Sequence, residues 1–431
     1  MKAPELLVPA GTLRHLEVAF AYGADAVYAG QPRYSLRVRN NEFHELATLN
    51  KGIDTAHGLG KAFYVVVNIA PHNDKIRSAV KDLEPVVAMG PDALIMSDPG
   101  LIMLVRERWP DLPIHLSVQA NAVNWATVRF WQQQGLSRVI LSRELSLGEI
   151  EVIREQVPDM ELEVFVHGAL CMAYSGRCLL SGYMNHRDAN QGACTNACRW
   201  SYPAVASGQD DTGDLIPVTE VGGEKQMLVA EQGRADETVP MFEDEHGTYI
   251  MNSRDLRAVQ HVETLARMGV HSLKVEGRTK SPYYVARTTQ VYRRAIDDAV
   301  EGRSFNTALM DELEALSNRG YTEGFLRRHP PAYYQRYEDG TSSLGTARWV
   351  GEVSGWDQHW LEIEVKNAFQ CGERLELMTP EGNRVFTPEV MENRKGEAME
   401  RAPGSGHRVR IPAPSGLPES LEQAFLVARR G

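Results

Sequence analysis

Over most of the first three hundred residues, short apolar runs rich in β-branched residues alternate with longer amphipathic stretches, and each change of period marks a change of element. ELLVPA (5–10), DAVYAG (25–30), KAFYVVVNIA (61–70), DALIMSD (92–98), IHLSVQA (114–120), RVILSRE (138–144), ELEVFVHG (161–168) and HSLKVEG (271–277) read as strands. Seven of these eight are short apolar runs of the kind that suit strands covered on both faces in a parallel sheet. Between them, LRHLEVAFAYG, SAVKDLEPVVAMG, LIMLVRERWP, WATVRFWQQQG and LGEIEVIREQV carry helical spacing, several closing on glycine. Eight β-α units predict an α/β fold, a TIM (β/α)8 barrel rather than an open doubly wound sheet. No GxGxxG follows the first strand, which weakens the dinucleotide-binding alternative.

The spacing breaks twice. Residues 169–270 separate the seventh strand from the eighth, and within this insertion GQDDTGDL and VGGEKQMLVAEQGRADETVP read as a polar loop or a small β excursion. After the helical stretch YVARTTQVYRRAIDDAVEG the period changes for good. ARWVGEVSG, WLEIEVKN, GERLELMTP and HRVRIPAP alternate apolar and polar residues between Gly or Asn turns, as in a small antiparallel β-barrel. The expected organisation is a barrel domain over 1–335 and a β module over 345–431, the latter a candidate RNA-binding appendage.

In a (β/α)8 barrel the chemistry sits where strands end. Asn68, Asp98, Gln119, Arg143, His167 and the group Lys274, Glu276 and Arg278 are polar residues at or just past the ends of the expected strands. Any one of them also reads as a loop residue or a helix cap; together they point to one face.

Composition narrows the class. The chain of 431 residues is 43% hydrophobic and 24% charged, and no apolar run approaches the ~18 residues of a membrane span. The opening MKAPELLVPAGT has no apolar secretory core, so a cytoplasmic protein is expected. In a reducing compartment, clustered cysteines read as metal ligands or redox thiols before disulfides. The net charge of -11 argues against a nonspecific polyanion binder, although acid is concentrated in 201–250, with eleven Asp or Glu against two Lys or Arg. Basic clusters at Arg33, Arg37 and Arg39, at Arg287, Arg293 and Arg294, and at Arg327 and Arg328 each read as a solvated face.

Four of the five cysteines, Cys171, Cys178, Cys194 and Cys198, fall in one window with the spacing C-x6-C-x15-C-x3-C. This is neither the paired C-x2-C hook of zinc ribbons nor the run of bacterial ferredoxins, and no C-x3-C-x2-C occurs. Four thiolates can hold tetrahedral zinc or an iron-sulfur cluster. The first lies just past the seventh strand, on the face where barrels do chemistry, which favours a catalytic site over a structural zinc or two disulfides. Cys371, alone in an expected strand, reads as a core residue. No hydrolase motif is present: HEL at 44–46 is followed by Ala47 and Thr48, and neither a G-x-S-x-G elbow nor a P-loop occurs.

EVFVHGALCMAYSGRCLLSGY, Glu163 to Tyr183, closely resembles the signature of the bacterial collagenase-like peptidase family of unassigned catalytic type. The resemblance extends through PELLVPAGTLRHLEVAFAYGADAVYAG, GQPRYSLRVRN and SVQANAVNW to HSLKVEGRTKS, RGYTEGFLRRH and ELMTPEGN, nearly the whole chain apart from 205–240. It implies a tRNA-modifying enzyme that hydroxylates a wobble uridine to 5-hydroxyuridine without oxygen. It further implies a 4Fe-4S cluster on Cys171, Cys178, Cys194 and Cys198, prephenate as the source of the hydroxyl, and the tRNA anticodon loop as partner. A small dicarboxylate suits guanidinium forks. Arg143 and Arg278, with Lys274, are the expected cations, and Arg37 and Arg39 on the long second loop are further candidates or phosphate contacts; Asn68 and Gln119 join them in substrate binding. His167 and Glu276 are candidates for proton transfer, with Lys274 beside them. Tyr174, Tyr183, Trp200, Arg199, Tyr34 and Tyr321 are candidate base-stacking groups. Two other readings compete: a metal-dependent peptidase, and a noncatalytic iron-sulfur or zinc RNA-binding partner whose chemistry another chain supplies.

Overall fold

The computed structural model describes residues 1–30, 33–35, 41–170, 254–277, 280–318, 320–327, 345–357 and 359–429, with the backbone of five strands between 207 and 249. Eight parallel strands close into a ring. In chain order they are β1 (Glu5–Pro9), β2 (Ala26–Gly30), β3 (Ala62–Val67), β4 (Ala93–Met96), β5 (Ile114–Leu116), β6 (Arg138–Ile140), β7 (Glu161–Ala169) and, after the insertion, β14 (Ser272–Val275). Each pairs with its neighbour, and β14 pairs with both β7 and β1 to shut the barrel. Leu6, Leu7 and Val8 show why such runs form these strands: all three are fully buried between the barrel interior and the helix layer, each contributing about 1.5–3 kcal/mol of apolar burial.

The helices are α1 (Leu13–Ala21), α2 (Leu46–Gly58), α3 (Asn73–Ala88), α4 (Pro99–Arg108), α5 (Trp125–Gln133), α6 (Leu147–Gln156), α7 (Val262–Arg267), α8 (Pro282–Val300) and α9 (Ala308–Glu314). Their starts are written locally. Thr12, Asp98, Asn124 and Ser281 each accept a backbone N–H in the first turn of their helix, and Ser146 forms a reciprocal capping box with Glu149. Asp98 is thereby accounted for as the cap of α4, its carboxylate 2.8 Å from the Leu101 N–H.

The insertion contains the expected β excursion. β8 (Ser207–Gln209) pairs with β9 (Leu215–Pro217), and β10 (Met227–Glu231), β11 (Arg234–Asp244) and β12 (Gly247–Tyr249) form an antiparallel sheet. Two short strands were not legible in the sequence. β13 (Asp255–Arg257) runs antiparallel to the far end of β7, and β15 (Tyr321–Thr322) runs beside β13, so the ladder continues past the ring.

The C-terminal module is antiparallel throughout. It comprises β16 (Ala347–Trp356), β17 (Trp360–Val365), β18 (Phe369–Gln370), β19 (Leu375–Thr379), β20 (Gly382–Phe386), β21 (Glu392–Asn393), β22 (Arg401–Ala402), β23 (Arg408–Pro412) and β24 (Phe425–Arg429). Seven of these form a sheet in the order β20-β19-β24-β16-β17-β23-β21, and β18 pairs with β22. Cys371, just past β18, is half-buried, its Sγ 3.6 Å from the Met399 carbonyl. The module has its own apolar cluster, yet Met378, Phe425 and Val427 belong to the barrel's core. Rings of Tyr22, at the C-terminal end of α1, and Tyr283 on α8 meet Phe425 at 6.3 Å. Arg287 corrects its reading as part of a solvated face: it is fully buried on α8, 2.9 Å from Glu376 of the module and 3.2 Å from Glu312. Burial opposes ionisation of Glu376, but Arg287 and Arg429 outweigh it and hold the carboxyl below its usual range. Among the described residues no helix is long and apolar enough to cross a membrane.

Candidate active site at the mouth of the barrel

Charged residues fill the middle of the ring. Arg138 on β6 reaches Glu5 at 2.6 Å, Glu161 at 2.8 Å and Glu163 at 3.3 Å. Lys274 on β14 meets Glu163 at 2.7 Å, and both are buried. Burial pulls the Arg138 guanidinium down, but Glu5 and Glu163 more than offset it and leave it firmly charged. His115, buried below with its ring 4.7 Å from Tyr64, is held neutral by burial and then by the nearby Arg138 and Lys274 charges.

Above this layer the ring opens towards the C-terminal ends of its strands. The Lys274 ammonium lies 4.3 Å from the Tyr28 ring and 5.5 Å from Phe165. The Arg143 guanidinium carbon lies 3.9 Å from the centre of the Phe165 ring, and its Nη2 is 3.6 Å from Oε2 of Glu276. That separation is longer than a good charge-assisted hydrogen bond. Tyr28 donates to the Val275 carbonyl at 2.9 Å and approaches Glu276 Oε2 at 3.4 Å, while Tyr284 donates to the Glu276 carbonyl at 2.7 Å. On the opposite rim Asn68 donates to Ser117 Oγ at 3.3 Å, and Ser97 donates to the Asn68 carbonyl at 3.0 Å. Gln119 follows in the 3-10 turn Val118–Ala120. The structure therefore brings Arg143, Glu276, Asn68 and Gln119 to the upper half of one barrel, over a charged floor that includes Lys274. A cation beside a carboxylate at such a mouth can bind an acidic group and pass a proton.

His167 is different, and the cause is a β-bulge. In the β7–β14 ladder Lys274 stands opposite Phe165, but Val275 stands opposite His167, so Val166 is an extra residue. The bulge reverses the alternation. His167 consequently turns with Val275 towards the helix layer, among Tyr284 at 5.8 Å, Tyr292 at 5.6 Å and Tyr321 at 5.5 Å between ring centres. Burial pushes its pKa down to about 3, against an opposing effect of Asp255. There it is a neutral residue packed among tyrosines, on the face of β7 opposite to that of Phe165. Tyr34 is likewise buried, donating to Asp82 at 2.6 Å, and Tyr321 is half-buried, its ring 5.5 Å from that of His167.

The next residue, Gly168, has φ +107, and a Cβ there would lie 2.6 Å from the Glu276 carbonyl oxygen. Only glycine lets the end of β7 run this close to the backbone that carries Glu276. β7 ends at Ala169, so the chain leaves the barrel at its mouth two residues before Cys171. Cys171, Cys178, Cys194, Cys198, Arg37, Arg39, Arg278, Tyr174, Tyr183, Arg199 and Trp200 lie outside the described residues. Among the described residues no group of three His, Cys, Asp or Glu is arranged to hold a metal. Glu163, Tyr28, Phe165 and Arg138 were not singled out from the sequence; the signal available was Glu161 and Glu163 alternating with apolar residues inside ELEVFVHG.

The pattern of Peptidase family U32 matches residues 11–336, and that of the Peptidase family U32 C-terminal domain matches 346–427. The chain belongs to peptidase family U32. Within U32 it is 64% identical to "tRNA hydroxylation protein P" of Escherichia coli K12, covering 99% of this chain and 97% of that one. It is 61% identical to the protein of the same name from Haemophilus influenzae, over 98% and 96% of the two chains. A 23S rRNA 5-hydroxycytidine synthase of E. coli is 30% identical over 82% of this U32 chain and 47% of its own length.

Proposed function

We propose that this protein hydroxylates tRNA, converting a wobble uridine to 5-hydroxyuridine at the mouth of the barrel. The observation that carries the reading is the 64% identity, over 99% of this chain, to a protein named for tRNA hydroxylation. In this reading Cys171, Cys178, Cys194 and Cys198 hold a 4Fe-4S cluster; four thiolates are a donor set suited to it. The cluster supplies redox chemistry when bound. Prephenate is the proposed hydroxyl source, with Arg143 and Arg278 receiving its carboxylates and Arg37 and Arg39 completing the rim. Arg143 suits this task as a planar cation at the mouth, 3.9 Å from the centre of the Phe165 ring and 3.6 Å from Glu276. Glu276 is the proposed proton carrier, held by Tyr28 and above Lys274, and Asn68 and Gln119 offer amides to the base.

The test is nucleoside analysis of tRNA from a bacterial strain deficient in wobble-uridine hydroxylation, with and without this gene. Appearance of 5-hydroxyuridine or its derivatives, lost with Cys194→Ala, supports the reading, as do about four irons and four sulfides in anaerobically purified protein. Unmodified tRNA with a colourless zinc protein overturns it.

A further inference from the structure

The C-terminal sheet meets the barrel through β16, β19 and β24, where Glu352, Met378 and Phe425 are engaged with Arg14 of α1 and Tyr22 just past its end. This leaves β21 at the opposite end of the strand order. β21 pairs antiparallel with β23, Glu392 opposite Arg410 and Asn393 opposite Val409, which sets the hairpin 393–397 beside residues 406–408. The hairpin is shaped locally. Asn393 Oδ1 accepts the N–H groups of Lys395 at 2.8 Å and Glu397 at 3.1 Å, and Gly396 takes φ +78, the left-handed position that closes a short loop. Arg394 and Lys395 on this wall face His407 and Arg408 on the other across an open cleft of about 430 Å³.

No carboxylate lines the cleft. Glu397 is held by Asn393 Nδ2 at 2.8 Å, and Glu364, opposite Arg408 in the ladder, is held by Lys366 at 2.7 Å. Among the described residues Arg394, Lys395 and Arg408 make no ion pair, whereas Arg14, Arg138, Arg143, Arg287, Arg293 and Arg348 all do. Arg394, Lys395 and Arg408 are all exposed, and although the charge of Glu364 reaches Arg408, the three together present net positive charge to an anion.

We infer that this cleft binds phosphates of the RNA backbone, and so deepens the tRNA reading on which it rests. Phosphate contacts position a nucleic acid while base contacts specify it. A uridine splayed into the barrel mouth leaves the rest of the RNA to be anchored elsewhere, and two guanidinium groups with an ammonium between facing walls suit adjacent phosphates. These side chains are exposed, Arg394 and Lys395 on the hairpin and Arg408 at the first residue of β23, so removing their charge leaves the fold intact.

The test measures tRNA binding to the full-length protein across a salt series, with the triple variant Arg394→Ala, Lys395→Ala, Arg408→Ala beside Arg394→Lys, Arg408→Lys. At ~0.7 per phosphate on a single strand, loss of three contacts lowers the slope of log affinity against log salt by about 2 and weakens binding roughly tenfold. The lysine variant retains most of both, and thermal unfolding is unchanged. A triple variant that binds with the wild-type slope and affinity overturns the inference. So does wild-type protein that binds no tRNA, or a variant that loses only polyglutamate binding, which makes the cleft a docking site for acidic protein. Cleft-dependent binding without any 5-hydroxyuridine sinks the hydroxylase reading alone; hydroxylation with unaltered binding in the triple variant sinks the cleft alone.

Discussion

The Nζ of Lys274 lies 2.7 Å from Oε1 of Glu163, both side chains buried in the middle of the barrel and 111 residues apart in the chain. Arg138 approaches the second oxygen of the same carboxylate at 3.3 Å. One carboxylate thus holds two cations from two other strands, beneath the mouth that carries Arg143 and Glu276.

Removing that carboxylate is costly. Glu163→Gln leaves the Lys274 ammonium buried beside a neutral amide, and the expected loss is about 3–5 kcal/mol in urea unfolding. Combining it with Lys274→Met restores part of the loss, because no buried charge is then stranded. A double variant whose loss equals the sum of the single losses to within ~0.5 kcal/mol shows that the two residues are not coupled.

Gly168→Ala tests the approach of β7 to Glu276. The backbone at φ +107 strains any L residue, roughly 1–3 kcal/mol, and the new methyl has the Glu276 carbonyl in its way. The expected protein melts earlier and forms little 5-hydroxyuridine, because Glu276 is displaced. Wild-type melting and product yield in this variant dismiss the steric argument.

His167 makes stability depend on pH in a stated direction. Its folded pKa, about 3, is below the ordinary 6.5, so the unfolded chain binds the extra proton. Its contribution is complete above pH 6.5 and declines as pH falls towards 3. At ~1.4 kcal/mol per unit, about 2 kcal/mol is lost between pH 6.5 and 5. Urea unfolding of wild type and His167→Phe at both pH values reads this, the variant losing less by that amount. Parallel pH profiles refute it.

Arg143→Lys separates charge from shape. The ammonium keeps the charge but lacks the planar, bidentate fork. Stability should stay within ~1 kcal/mol of wild type, while 5-hydroxyuridine formation falls about tenfold, chiefly as a raised KM for the acidic co-substrate. Unchanged kinetics remove Arg143 from substrate binding.

All eight barrel strands were legible because each is a short apolar run bounded by turn residues, a signal contained within five to ten positions. The helical stretches were legible for the same reason, whereas the capping box of Ser146 with Glu149 was not singled out. β13 and β15 were not legible, because DLR and YT contain no apolar run that marks a strand. Tyr34 read as a stacking candidate and Arg287 as part of a solvated face, since aromatic and basic residues are ambiguous until their partners Asp82 and Glu376 are placed.

The residue types at the mouth were set by the sequence alone: a polar residue after each apolar run, and the cysteines beginning two residues past β7. Which way each side chain points was decided by tertiary structure. Closing the ring fixes the register of β7 against β14, and that register carries the bulge at Val166 that sends Phe165 inward and His167 outward. Periodicity belongs to the local chain, whereas a register exists only between two strands that have met.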